Sequence, residues 1–106
     1  MSEFVERPWG GYRVIGQTDT ALVKELTFTG GFIRPQRHLF RFEHWTLLEG
    51  KIIGLANDQP KMLLRPGDSL VIQTGAWHWF GGIGKVLEVW HGDLLDEGDI
   101  EVKDLP

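Results

Sequence analysis

The chain contains no cysteine. A disulfide framework and thiolate chemistry are therefore excluded. No apolar run approaches the roughly 18 residues of a membrane span. No basic stretch interrupts an ordinary mixture of charges, and the formal net charge is −4. That balance argues against nucleic acid or an anionic membrane as partner. Helical periodicity is missing as well, because apolar residues alternate or run in short blocks. There is no internal repeat, low-complexity segment or linker. The opening "MSEFVERPWG" has neither the basic nor the apolar region of a signal peptide. A cytoplasmic setting is the expectation.

What is present is turn-forming and aromatic. Glycine occurs 14 times and tryptophan five times in 106 residues. Many glycines in a short chain imply many tight turns and short strands. The length suits one domain, residues 1–106, with a single core. "YRVIG" and "ALVKELTFT" read as strands, followed by a turn at Gly30 and Gly31. "RPQRHLFRFEHW" lies in an interrupted extended stretch, and Glu49 to Lys51 reads as a turn into "KIIGLA". "NDQP" is a turn by composition. "KMLLRPGDSLVIQTG" reads as two strands around "RPGD". "WHWFGG" reads as a short strand or loop, and "GKVLEVWHG" as a final long strand. Sequential strands with short connections predict an all-β sandwich or small jelly-roll barrel.

Residues two apart on a strand share a face. Gln36, His38 and Phe40 are thus expected on one side, and Glu43 with Trp45 on one side after an irregularity near Arg41. His78 lies between Trp77 and Trp79, whose side chains should face away from its own. His44 should face away from Glu43, and Trp90 should share a face with Glu88. The acidic tail from Asp93 to Glu101 reads as a solvated charge run.

Gly30, His38, Glu43 and Gly50 resemble the first motif of the cupins. Gly67, Gln73, Gly75 and His78 resemble the second. "ERPWGGYRVI", "VKELTFTGG", "QRHLFRFEHW", "GDSLVIQTGAWH" and "EVWHGDLLDEGDI" follow the order of the cupin domain of type II phosphomannose isomerases. That domain also ends the bifunctional mannose-1-phosphate guanylyltransferases. The resemblance covers roughly residues 6 to 101. It implies an all-β cupin, a double-stranded β-helix holding one divalent metal ion (zinc, manganese, iron or nickel). His38, Glu43 and His78 match three ligand positions; Phe40 falls on the fourth and cannot bind metal. Gln36 is a weak fourth ligand by similarity to the Gln-x-His pair of type I enzymes. Phe40 would then make that side of the pocket drier.

The resemblance also implies a mannose 6-phosphate-like substrate and a homodimer. Glu88 and Lys24 become the catalytic candidates for moving a proton. Arg41, Arg7 and Trp90 become the substrate contacts, two for an anion and one for stacking on a sugar. Trp9, in the entry motif, is expected to cap the core beside a Pro-Gly turn. No arginine follows Arg65, so several phosphate contacts of the family are missing. Three functions compete: a metal-dependent sugar-phosphate isomerase, a non-catalytic sugar or nucleotide-sugar binding module, and a non-haem metal oxygenase.

Overall fold

The computed structural model describes residues 3–103. Nine strands follow one another: β1 (Val5–Arg7), β2 (Gly10–Gln17), β3 (Ala21–Phe32), β4 (Gln36–Arg37), β5 (Phe42–Ala56), β6 (Gln59–Leu63), β7 (Ser69–Ile72), β8 (His78–His91) and β9 (Glu101–Val102). The described residues contain no helix, and hence none long and apolar enough to cross a membrane. Among the described residues every strand pairing is antiparallel, in one curled sheet.

Strand β8 is the keel. It pairs with β3 along one edge and with β5 along the other. The far edge of β5 is shared by β7 and β6. On β8 the side chains of His78, Phe80, Val86, Glu88 and Trp90 are buried, all in one phase of the two-residue repeat. On β3 the same face carries Leu22, Lys24, Leu26 and Phe28. These faces, with Trp45, Leu47, Ile52, Leu63 and Ile72, enclose the core.

Three expected breaks are not breaks. Glu49 to Lys51 is no turn: β5 runs through it with a bulge between Leu47 and Glu49. The extra residue flips the alternation, so Glu43, Trp45 and Leu47 are buried before it and Ile52 and Ala56 after it. Gly50 sits beside this bulge at φ +83°, with the Ile83 carbonyl where a Cβ would go. Gly30 and Gly31 likewise lie inside β3, at a register shift between Thr29 and Phe32. "WHWFGG" and "GKVLEVWHG" join as one 14-residue strand from His78. Gly31, Gly50 and Gly82 serve close approach of neighbouring backbones, and Gly30 supplies a positive φ of +117° in open space; none reverses the chain.

Other readings hold. Asn57 and Asp58 have φ of 51° and 63° and close the β5–β6 hairpin. Trp9, in the turn between β1 and β2, packs on Phe28 at 4.9 Å between ring centroids.

Candidate metal site

Two adjacent strands build the floor of the site. On β5, Glu43 precedes Trp45 by two residues; on β8, Glu88 precedes Trp90 by two. Glu43 stands opposite Trp90, and Trp45 opposite Glu88. Each indole donates to the glutamate of its own strand, Trp45 Nε1 to Glu43 Oε1 at 3.1 Å and Trp90 Nε1 to Glu88 Oε1 at 2.8 Å. The two carboxyl groups are also hydrogen-bonded to each other.

The two carboxyls are driven apart in acidity. Burial pushes Glu43 up, but the imidazoles of His78 and His38, the Arg41 guanidinium and the bond from Glu88 outweigh it. Glu43 falls to about 2. Burial and the neighbouring Glu43 charge push Glu88 well above the usual carboxylate value, against the pull of Lys24. The pair therefore sets an ionised carboxylate beside a protonated acid.

His38 and His78 complete the cluster. His38 Nε2 lies 3.1 Å from Glu43 Oε2, and His78 Nε2 lies 4.0 Å from Glu43 Oε1. The Nδ1 atoms face the carbonyls of Asp99 at 2.8 Å and Ala76 at 3.0 Å. A carbonyl only accepts, so each Nδ1 donates, and in the neutral ring each Nε2 then turns a lone pair towards Glu43. Burial holds both imidazoles below their ordinary value, in the neutral form. His78 Nε2 is buried with no hydrogen-bond partner among the described residues. Two imidazole nitrogens and a carboxylate, all within 4.8 Å of one another, suit a divalent cation in type and number.

Gln36 pairs in register with His78 and lines a cavity together with His38 and Glu43. Phe40 does not. Strand β4 ends at Arg37, so the alternation that placed Phe40 beside His38 stops there. Leu39 and Phe40 form a bend whose backbone N–H groups donate to Asp99 Oδ1 and Oδ2 at 2.8 and 3.0 Å. The bend turns Phe40 outward, 60% exposed, and brings Arg41 inward, 5% exposed. Phe40 therefore does not dry the pocket, because the strand ends before it.

Arg41 is the most heavily bonded side chain of the site. Nε donates to Glu43 Oε2 at 2.9 Å, and Nη2 contacts His38 Nε2 at 3.3 Å. Nη1 reaches the carbonyls of Asp96 and Asp99 at 3.3 and 3.4 Å. The guanidinium carbon lies 3.3 Å from the Trp90 ring centroid. Lys24, paired with Glu88 across β3 and β8, is buried between the rings of Tyr12 and Trp90, each 3.9 Å away. Its Nζ donates to Glu97 Oε2 at 2.6 Å.

The acidic tail is thus part of the site. Asp99 is buried, holds the bend and offers its carbonyl to His38; reading the tail as wholly solvated missed it. The signal was the "GDI" step, where Asp99 is followed by an apolar residue. Above this floor opens a cavity of about 270 Å³, lined by Lys24, Arg41, Glu43, Glu88, Trp90 and Arg7 among others. Arg7 is itself exposed. His44 is exposed, as its strand phase required. Trp77 and Trp79 are half-buried; Trp77 carries Arg37 and Lys103, and Trp79 packs edge-on against Phe32.

A curled antiparallel sheet with a His, Glu and His cluster on its inner face defines a cupin. The solved structures agree in fold. A Streptomyces PAC13 variant with uridine superposes with a TM-score of 0.84 at 15% identity, covering 97% of this chain and 84% of that one. An RmlC-like cupin from Shewanella frigidimarina gives 0.77 at 15% identity, covering 92% and 87%. More particularly, residues 1–104 match the family described as mannose-6-phosphate isomerase C-terminal, and the chain belongs to that family. A mannose-1-phosphate guanylyltransferase of Sinorhizobium fredii is 33% identical over 104 residues, covering 89% of this chain and 19% of the relative. The corresponding protein of Salmonella typhimurium is 33% identical over 102 residues, covering 91% and 21%. The chain spans about a fifth of the length of these curated relatives.

Proposed function

We propose that this cupin takes a phosphorylated monosaccharide into the mouth of its barrel and moves a proton on it, as an aldose–ketose isomerase does. One observation carries the reading. Lys24, Arg7 and the carboxyl pair Glu43 and Glu88, whose acidities are driven in opposite directions, line one and the same cavity. The cavity, at about 270 Å³, lies near the low end of small-molecule pockets. That size favours one sugar ring over a nucleotide-sugar. Mannose phosphates are the substrate class that the family description and the relatives' names support.

Phosphate recognition needs a cation that can be freed for it. Lys24 is held by a single exposed carboxylate, Glu97, which a phosphate would replace. Trp90 and Tyr12 give an apolar surface for the ring. Glu88, held protonated, gives its proton to the substrate carbonyl oxygen; the carboxylate it becomes, with Lys24 opposite it, accepts the proton leaving the neighbouring carbon, and the reverse transfers complete the interconversion and restore the acid. His38, Glu43 and His78 are the residues that would hold a divalent ion. When bound, such an ion polarises carbonyl and hydroxyl oxygens.

The binding-only reading is favoured by a different observation: Arg41 already fills the face that those ligands present. Mannose 6-phosphate incubated with the protein in D₂O distinguishes the two. Loss of the C2 proton signal and growth of fructose 6-phosphate, both abolished in Glu88→Gln, support the isomerase. Saturable binding without exchange supports the binding module. No binding of any hexose phosphate removes the proposal.

A further inference from the structure

The three acceptors of the cluster need a cation. His38 Nε2 and Glu43 Oε2 stand 3.1 Å apart; with Nδ1 donating to the Asp99 carbonyl, a neutral ring meets the carboxylate lone pair to lone pair, a contact that is repulsive unless something positive bridges it. Arg41 is that bridge. Its Nε and Nη2 reach the same two atoms, one each. The guanidinium is also held from the side by two backbone carbonyls and from beneath by Trp90. One buried carboxylate is thereby balanced by one buried guanidinium. A divalent ion on Glu43 and His38 would have to share those atoms with a fixed positive charge, in a site shielded from water where like charges repel strongly.

We propose that Arg41 is the resident cation of the His38, Glu43 and His78 site, and that a divalent metal ion binds there only when the Arg41 guanidinium leaves. Arg41 and metal are alternative occupants. The unpartnered His78 Nε2 is the mark of the exchange: the guanidinium serves two of the three acceptors, whereas a metal would serve all three. The bend at Leu39 and Phe40, tied to Asp99, sets which occupant is favoured, because it aims Arg41 inward. The nature of the sugar ligand does not enter.

The test is calorimetric titration of chelator-treated protein with Zn²⁺, Mn²⁺ and Ni²⁺. Parent, Arg41→Gln, Arg41→Lys and the Arg41→Gln/His78→Gln double variant are compared. Removing a fixed charge beside the ion should tighten binding by at least about tenfold in Arg41→Gln. Arg41→Lys, which keeps the charge but loses the planar fork, should fall between. The double variant should lose the gain. Metal should also raise the melting temperature of Arg41→Gln more than that of the parent. In the parent, saturating metal should change a tryptophan fluorescence signal that Trp90→Phe removes, as the guanidinium leaves that ring. Arg41→Gln binding no more tightly than the parent overturns the proposal. Should Arg41→Gln fail to fold without metal, equal affinities of parent and Arg41→Lys overturn it instead.

Discussion

Asp99→Ala should unfold the site from its edge. The Asp99 carboxylate accepts the N–H groups of Leu39 and Phe40. Hydrogen bonds to a charged acceptor contribute about 1.5–3 kcal/mol each. Both are only partly buried, so water repairs some of the loss. The expected cost is about 2–4 kcal/mol. For a chain of 106 residues each kcal/mol moves the midpoint by about 4 °C or more, so the melting temperature should fall by about 10 °C. Asp99→Asn keeps one acceptor oxygen and should cost about half as much. Urea unfolding followed by tryptophan fluorescence measures both. The same variants should bind divalent metal more tightly than the parent, because Arg41 is no longer aimed inward. An Asp99→Ala variant within about 0.5 kcal/mol of the parent would refute the role given to the tail.

Gly50→Ala should cost at least about 2 kcal/mol or abolish soluble expression, since its Cβ would lie 2.1 Å from the Ile83 carbonyl oxygen at φ +83°; unchanged stability would refute the bulge that phases β5. Acid should destabilise the fold in two stages. The folded His38 and His78 values lie below 6.5, so their contribution is full above 6.5 and is lost as pH falls through the folded values. Glu43, lowered from 4.5 to about 2, contributes above 4.5 and loses that contribution between 4.5 and about 2. Glu88 has the opposite sign: its folded value is raised, so its contribution is full below 4.5 and is lost as pH rises through the folded value. Glu88→Gln should therefore flatten the alkaline side of the stability profile measured by denaturant titration at stepped pH; an unchanged slope there would contradict a protonated Glu88.

The fold was legible because its inner face is written in period two. Glu43, Trp45 and Leu47, and likewise Val86, Glu88 and Trp90, alternate cleanly and need no tertiary information. What misled were glycines. Gly30, Gly50 and Gly82 signal tight geometry, but the sequence does not say whether the chain reverses or a neighbouring strand comes close. Here Gly82 faces the Lys51 carbonyl and Gly50 that of Ile83, and both lie inside strands. The site was legible in its residue types, and the cluster of His38, Glu43 and His78 does come together. Its occupancy was not legible. Whether Phe40 or Arg41 points inward depends on where β4 ends, and that is decided by Asp99, some 60 residues downstream. A contact of such range leaves no trace in local alternation. Lys24 looked like a free base candidate for the same reason, because its ion pair with Glu97 spans the length of the barrel sequence.

The central claim is that a sugar phosphate occupies the cavity over Trp90. The most direct measurement is a titration of ¹⁵N-labelled protein with mannose 6-phosphate, following the five tryptophan indole N–H signals. The Trp90 indole, bonded to Glu88 beneath the cavity, should shift in a saturable way. The indoles of Trp77 and Trp79, on the outer face, should stay in place, and mannose without phosphate should bind more weakly. Shifts confined to Trp77 and Trp79, or a Trp90 signal that does not move at saturating ligand, would contradict the account.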